Sequence, residues 1–324
     1  MKQETILSGI RATGNLHIGN YLGALKQYVD LQNQGDHKCY FFIADLHALT
    51  TPFEPKELRE NTLNVVADYI AAGIDPNKSM IFLQNHILEH AELAWIFNCI
   101  TPLAEMERMT QYKDKSKQHK ESINLGLLAY PALMAADILL YKPSMVPVGD
   151  DQTQHLELAR DIARKFNKNF GKVFPEPKNF LLKPLRIKSI KNPDKKMSKT
   201  GDDPLYIYDS PEIIHAKLKK AVTASGAGGS PGVDNLMYLL ETFGDASIVG
   251  QFRSAIKDGS IKYSELKTAL ADAISEHFAE FREKKKELLS QPELLAEILG
   301  DGANAARKIA SATLNEVKEK IGLL

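Results

Sequence analysis

Apolar side chains recur along this chain with two periods, and their alternation predicts layers of strands and helices. Residues 5–10 form a compact apolar run that reads as a buried strand. The small, glycine-bearing run RATGNLHIGN follows at 11–20, and then Tyr21, Leu22, Leu25, Tyr28 and Val29 recur at helical spacing. Strand, glycine loop and helix in that order open a nucleotide-binding α/β unit. A second strand is expected at 39–43, running into Ala44-Asp45-Leu46-His47, then an amphipathic helix at 55–72 and a third strand at 79–83. Such alternation predicts a parallel sheet with helices on both faces.

Further along, 89–108 reads as a helix carrying the only tryptophan, Trp95. A polar, lysine-rich stretch follows at 112–122 and an apolar segment at 125–141. Residues 142–149, with Pro143 and Pro147 among alternating apolar positions, read as a short strand ending in a loop, and 156–166 as a helix. Residues 191–204 are a charged loop. Beyond it the pattern is almost wholly helical, at 211–222, 236–243, 263–289 and 303–321, with the connector SGAGGSPG at 225–232. The expected architecture is a nucleotide-binding α/β domain followed by a helical one.

Charge narrows the choice of partners. Lysine plus arginine and aspartate plus glutamate both number 41, so no global field draws in a polyanion. The first 200 residues carry 26 basic against 22 acidic side chains, and the remainder 15 against 19. A nucleic acid would have to be held by local patches. The two cysteines, Cys39 and Cys99, lack metal-ligand spacing and read as reduced thiols. With no apolar run of membrane-spanning length and no secretory h-region in the opening residues, the expected compartment is the cytoplasm.

Two short runs carry chemistry. In GNLHIGN, Gly14 to Asn20, glycines let the backbone approach phosphates, and the helix that follows offers unpaired amides to an anion. His17 and Asn20 add donors for a phosphoryl group whose charge is being redistributed. Read alone, the run is equally a plain turn with His17 exposed. In KMSKT, Lys196 to Thr200, mobile ammonium groups beside hydroxyls suit a triphosphate tail and departing pyrophosphate, while a generic lysine run is a solvated loop.

Together, an early HIGH-like loop and a KMSKS-like loop about 180 residues later resemble the class I aminoacyl-tRNA synthetases. The runs SGIRATGNLHIGNYLGAL, ERMTQYKDKS, YPALMAADILLY and VPVGDDQTQHLELARDIARKFN are similar to the bacterial tryptophanyl enzymes, and less so to the tyrosyl ones. The resemblance implies a class I Rossmann-type catalytic domain at 1–204 with a helical connective insert around 88–140. It also implies a helical, anticodon-binding domain at 205–324 and a homodimer. The expected substrates are L-tryptophan, ATP with Mg²⁺ and the tryptophan transfer RNA, with no tightly bound cofactor, no protein-held metal and no membrane partner.

Within that resemblance, Asp137 in LMAADILL is the expected determinant of substrate choice. Indole offers one donor-only N–H, and a carboxylate is acceptor-only. Met134 and its neighbours would supply aliphatic faces. A tyrosine hydroxyl also donates to a carboxylate, so this chemistry alone leaves tyrosine open. Corresponding family positions place Tyr130 and Gln152 on the tryptophan backbone, with His47 and Leu7 lining the same pocket. Gly149, Asp150 and Asp151 fall at the adenosine and Ile187 near the adenine. His17, Asn20, Lys115, Lys196 and Lys199 act on the phosphates, with Gly19, Met197, Ser198 and Thr200 completing the two loops. Three departures stand out: Arg11-Ala12-Thr13 replaces the common Gln-Pro-Ser beside the ATP phosphates, Leu7 a common phenylalanine, and Thr200 the usual final serine. His86 and His90, four apart, lack a third metal ligand. A tyrosyl enzyme is the nearest rival. A regulatory module retaining tryptophan and ATP binding is one from another class, and a small-molecule nucleotidyltransferase sharing the glycine loop is a weaker one.

Overall fold

The computed structural model describes residues 4–118, 123–181, 187–197, 204–223 and 231–324. They fall into two compact units that interleave along the chain. The first comprises Met1–Thr13, Lys26–Pro184 and Leu288–Leu324, and the second Gly14–Leu25 and Leu185–Glu287.

In the first unit, strands β1 (Glu4–Arg11), β2 (His37–Ala44), β3 (Ser79–Leu83), β4 (Met145–Val148) and β5 (Lys178–Leu181) form a parallel sheet in the order β3-β2-β1-β4-β5. Each pairing is parallel, from Glu4↔His37 through Arg11↔Ala44 at the centre. Ile6, Leu7, Phe41, Ile43, Phe82 and Val146 are buried, as near-continuous apolar strands covered on both faces must be. Ser8 ties the centre together, its hydroxyl donating to the Pro147 carbonyl at 3.0 Å and lying 2.7 Å from the Tyr28 hydroxyl.

The helices of this unit begin where local chemistry allows. Pro55 occupies the first turn of α3 (Pro55–Ala71), where its missing N–H costs nothing. Asn124 caps α7 (Leu125–Leu139) by accepting the Leu127 N–H at 2.9 Å. The helix expected over 89–108 is two, α4 (Glu89–Ile100) and α5 (Leu103–Glu107). Thr101, which precedes Pro102, is extended because proline crowds the helical conformation of its predecessor. The lysine-rich stretch folds as α6 (Thr110–Gln118), and α8 (Thr153–Phe170) lays Leu156, Ile162 and Phe166 into the core.

The edge strand β3 is covered by α14 (Pro292–Ile321), which approaches so closely that a Cβ on Gly302 would lie 1.8 Å from the Ile81 carbonyl oxygen. Only glycine permits that crossing. Arg307 donates to the His86 carbonyl at 2.8 Å, and Lys318 and Lys142–Glu316 add ion pairs to the same helix. Covering an edge removes a template for unwanted strand pairing.

The second unit is mostly helical. It holds a short turn of helix α1 (Ile18–Asn20), widened by a π turn at Tyr21–Leu25, and α9 (Pro211–Lys219), α10 (Pro231–Phe243), α11 (Ala246–Asp258) and α12 (Tyr263–His277). Leu218, Leu239, Leu240, Leu266, Leu270 and Ile274 are buried within it. Tyr21 packs edge-on against Phe278 at 4.9 Å. No helix among the described residues is long and apolar enough to cross a membrane.

Candidate active site

Parallel strands carry their ligands at their carboxyl ends, in the crevice where the strand order reverses. Here the reversal lies between β1 and β4. The residues leaving the carboxyl ends in this unit are Arg11-Ala12-Thr13 after β1, Asp45 to His47 after β2, Gln84 after β3 and Gly149 to Gln152 after β4. Expected site residues thus cluster at one end of the sheet for a topological reason.

Asp137, on α7, is 1% exposed. Its Oδ1 accepts from Gln84 Nε2 at 2.7 Å and pairs with His90 Nδ1 at 2.6 Å, while Oδ2 pairs with His47 Nε2 at 2.7 Å. Burial pushes this carboxyl up, but His47 first and then His90 pull it down to about 2, so it is ionised and acceptor-only at neutral pH. A carboxylate offers roughly four acceptor positions. Among the described residues three are taken, two on Oδ1 and one on Oδ2, which leaves one acceptor position on Oδ2. A single N–H donor on a ligand matches it.

His47 and Gln84 reach Asp137 from the ends of β2 and β3. Tyr130, two turns before Asp137 on α7, lies edge-on to His47 at 6.0 Å, and its hydroxyl is 2.9 Å from His155 Nε2. Lys115 Nζ sits 4.7 Å from the centre of the Tyr130 ring, a cation–π contact. Burial lowers Lys115 to about 8, with Arg11 adding to the fall and Asp151 opposing it. Burial raises the Tyr130 phenol to about 12, against Arg11 and with Asp151. His155 is lowered to about 4, first by burial and then by Lys115 and His47, so its ring is neutral at pH 7. Burial also lowers Arg11, whose Nε lacks a hydrogen-bond partner among the described residues. Gln152 donates to Asp151 at 2.7 Å. Leu7 and Met134 meet in one apolar cluster, Leu7 buried and Met134 partly so.

The second unit sets the glycine run against the segment that follows the lysine loop. Gly14 takes φ +59°, a left-handed turn suited to glycine. Leu16–Ile18 then lies antiparallel to Leu205–Ile207, with Ile18 donating to Leu205 at 2.9 Å and Ile207 to Leu16 at 3.1 Å. His17 is 4% exposed, so the reading of an exposed histidine on a plain turn does not hold. It caps α1 in a reciprocal box. Its Nδ1 accepts the Asn20 N–H at 3.3 Å, and Asn20 Oδ1 accepts the His17 N–H at 3.2 Å. With Nδ1 an acceptor, the ring proton resides on Nε2, and Asn20 retains its amide NH₂ as donor. A Cβ on Gly19 would lie 2.8 Å from His17 Cε1, so glycine is what lets the ring fold back over the turn. Met197 donates to Ile187 at 2.9 Å, and both are buried. Lys196 bridges Lys188 with its side chain exposed. Ser198, Lys199 and Thr200 lie outside the described residues, as does the side chain of Asp150.

Sequence patterning missed Gln84, His90, Tyr141 and His155 as participants. His90 is spaced for a metal pair with His86, yet it points into the core toward Asp137 while His86 is exposed. The available signal was a polar residue on an otherwise apolar face: His90 among Ile87, Leu93 and Ala94, and Asp137 and Tyr141 one turn apart.

Comparison with known proteins gives a consistent result. A family model described as tRNA synthetases class I (W and Y) matches residues 2–286. The tryptophan–tRNA ligase of Caldanaerobacter subterraneus is 44% identical across 99% of both chains, and that of Clostridium tetani 43% across 99% of this chain and 96% of its own. The crystal structure of Campylobacter jejuni tryptophanyl-tRNA synthetase complexed with ADP and tryptophan superposes with a TM-score of 0.89. It is 37% identical and covers 98% of this chain and 99% of its own.

Proposed function

Because the chain belongs to the class I tRNA synthetases of the tryptophan and tyrosine group, we infer that it activates L-tryptophan with ATP and transfers the product to the tryptophan transfer RNA. The observation that carries the site reading is Asp137, ionised, buried and with one acceptor position left for a single donor on an aromatic ring, which an indole N–H fills. Full-length relatives with this activity support the reading.

In the proposed chemistry the tryptophan carboxylate attacks the α-phosphorus of ATP in line. The P–O bond to the departing pyrophosphate breaks, and tryptophanyl-adenylate forms. Both reactants are anionic, so the protein positions them and neutralises charge instead of forming a covalent intermediate. His17 Nε2 and the Asn20 amide donate to the α-phosphoryl oxygens. Lys196 and Lys199 hold the leaving pyrophosphate, and Mg²⁺ enters with ATP as part of the substrate complex. Lys115 and Arg11 add positive charge for phosphate. Tyr130 and Gln152 hold the amino-acid backbone, His47, Leu7 and Met134 line the indole, and Asp150, Asp151 and Ile187 take the adenosine. A terminal ribose hydroxyl of the transfer RNA then attacks the adenylate carbonyl and releases AMP.

ATP–pyrophosphate exchange tests this directly. Exchange should depend on tryptophan, with tyrosine and phenylalanine inactive by comparison; exchange driven better by tyrosine would overturn the assignment. Lys199→Ala should slow adenylate formation by about 100-fold while leaving tryptophan binding intact, and equal losses in both would defeat that role.

Lys115 adds a pH signature. The amine carries its charge below about 8 and loses it above, so kcat/KM for ATP, which reports the free enzyme, should fall as pH rises through that value. Lys115→Arg should carry the basic limb to higher pH, and a limb unmoved in that variant would remove Lys115 as its source.

A homodimer, the cytoplasm and an anticodon-reading role for the helical residues after 204 complete the proposal. Leu88, the residue just before α4, and Trp95 on that helix are both exposed, Trp95 at 70%, and offer apolar surface in keeping with a dimer. Both cysteines are free thiols, as a reducing compartment favours.

A further inference from the structure

Behind Asp137 lies a second layer of polar groups that the chemistry above does not use. His90 stands in the first turn of α4 and is 0% exposed. Its Nδ1 meets Asp137 Oδ1 at 2.6 Å, and its Nε2 meets the Tyr141 hydroxyl at 2.8 Å. Tyr141 follows α7 one helical turn after Asp137 and is itself buried. Phe42, Phe82 and Tyr141 surround the imidazole, with ring centres 6.1, 6.2 and 5.5 Å away. The ring is fixed in orientation and shut off from water.

The proton arrangement follows from the acceptor at one end. An ionised carboxylate only accepts, so His90 Nδ1 donates to it. The other ring nitrogen, Nε2, is held by the Tyr141 hydroxyl, which donates to it in the neutral ring and accepts from it in the charged one. Tyr141 keeps its proton, since burial and then the Asp137 and Glu89 carboxylates raise its phenol far above the ordinary value. The hydrogen bonds therefore run unbroken from Tyr141 through His90 to Asp137.

We propose that His90 and Tyr141 are positioning residues for tryptophan selection, holding Asp137 through Oδ1 so that Oδ2 is the oxygen presented to the indole N–H. The proposal rests on the reading of Asp137 as the indole acceptor. Without His90, Oδ1 keeps only Gln84, and the carboxylate gains freedom to turn about its last torsion, which is intrinsically soft. The acceptor on Oδ2 then spends less time aimed at the ligand. Because this relay touches neither ATP nor the reacting carboxylate, its loss should register on one substrate alone.

The test uses His90→Leu, His90→Asn, Tyr141→Phe and Asp137→Asn in the full chain, with exchange kinetics varied separately in tryptophan and ATP. His90→Leu should raise KM for tryptophan about 10- to 100-fold, the scale of a buried donor lost from a charged acceptor, with KM for ATP unchanged. His90→Asn, whose amide N–H can stand in for Nδ1–H, should recover most of that loss. Tyr141→Phe should raise KM for tryptophan about 3- to 10-fold. Equal losses for both substrates, or an asparagine variant no better than leucine, would overturn the proposal. Should His90→Leu fail to fold, Tyr141→Phe decides: a selective rise in KM for tryptophan upholds the relay, and an unchanged KM overturns it. If Asp137→Asn raises KM for tryptophan while the His90 and Tyr141 variants do not, the relay fails and the acceptor role of Asp137 stands. If Asp137→Asn leaves it unchanged, the underlying reading fails too.

Discussion

Asp137→Ala should lower kcat/KM for tryptophan by about a thousandfold or more, with KM for ATP little changed, in exchange assays on folded protein. Two losses combine. The indole N–H, dehydrated in its pocket, loses its only acceptor, and sites built to pair one polar group discriminate by roughly 10⁴-fold when the pairing fails. The protein also loses the common partner of three donors, His47 Nε2, His90 Nδ1 and Gln84 Nε2. A buried donor left unpaired costs about 1–3 kcal/mol, so the variant should also melt earlier, and thermal unfolding must accompany the kinetics. Asp137→Asn separates the two losses. It retains one acceptor oxygen but turns an N–H toward histidines that also donate. A well-folded alanine variant with ordinary kcat/KM for tryptophan would remove Asp137 from substrate recognition.

His17→Ala should fall on the other kinetic parameter. Removing one donor aimed at developing charge in a preorganised site typically costs about 10²–10³ in kcat, and single-turnover adenylate formation should slow by that amount while tryptophan affinity holds. The capping box is the reason for expecting a large effect. With Nδ1 accepting the Asn20 N–H and the Asn20 carbonyl accepting the His17 N–H, the box fixes the ring proton on Nε2 and holds both side chains in one orientation at the helix start. Asn20→Asp should be at least as damaging, since it exchanges an NH₂ donor for a negative charge facing phosphate. Unchanged adenylate formation in His17→Ala, or an equal loss of tryptophan affinity, would remove this role.

These expectations began as readings of residue order, and the structure shows where such reading works. β3 matches its apolar run at 79–83, and β1, β2 and β4 differ from theirs only at the ends, because buried parallel strands write themselves as uninterrupted apolar segments. β5 was not foreseen. It is a four-residue edge strand, KNFL, whose polar half resembles a loop and whose pairing with β4 is decided by the rest of the sheet. The apolar spacing at 263–289 suggested one helix, but Phe278 sits between α12 and a separate helix α13 (Ala279–Leu289), with its ring buried. α11 carries no buried residue, so its burial pattern has little to announce. α14 starts eleven residues before the predicted helix at 303, its first turn opened by Pro292.

The site divides in the same way. Asp137 and His47 were legible through the family resemblance, and Asp137 also as a carboxylate set within an apolar run. Their contact, spanning 90 positions, was not. Nor was that of His90, 47 positions away, which pattern reading set beside His86 instead. Spacing along a helix reports neighbours on that helix, whereas Asp137 collects its partners from the ends of two strands and from another helix.

The crossing of α14 over β3 bears on how the chain is made. Arg307 and the carbonyl it binds are 221 positions apart, and Gly302 must nestle against Ile81 before the sheet margin is sealed. A nascent polypeptide leaving the ribosome thus carries an open β3 flank until the segment with Gly302 and Arg307 has been synthesised. Contacts so distant in sequence close slowly, and in that interval the bare flank is where chaperones would find their hold.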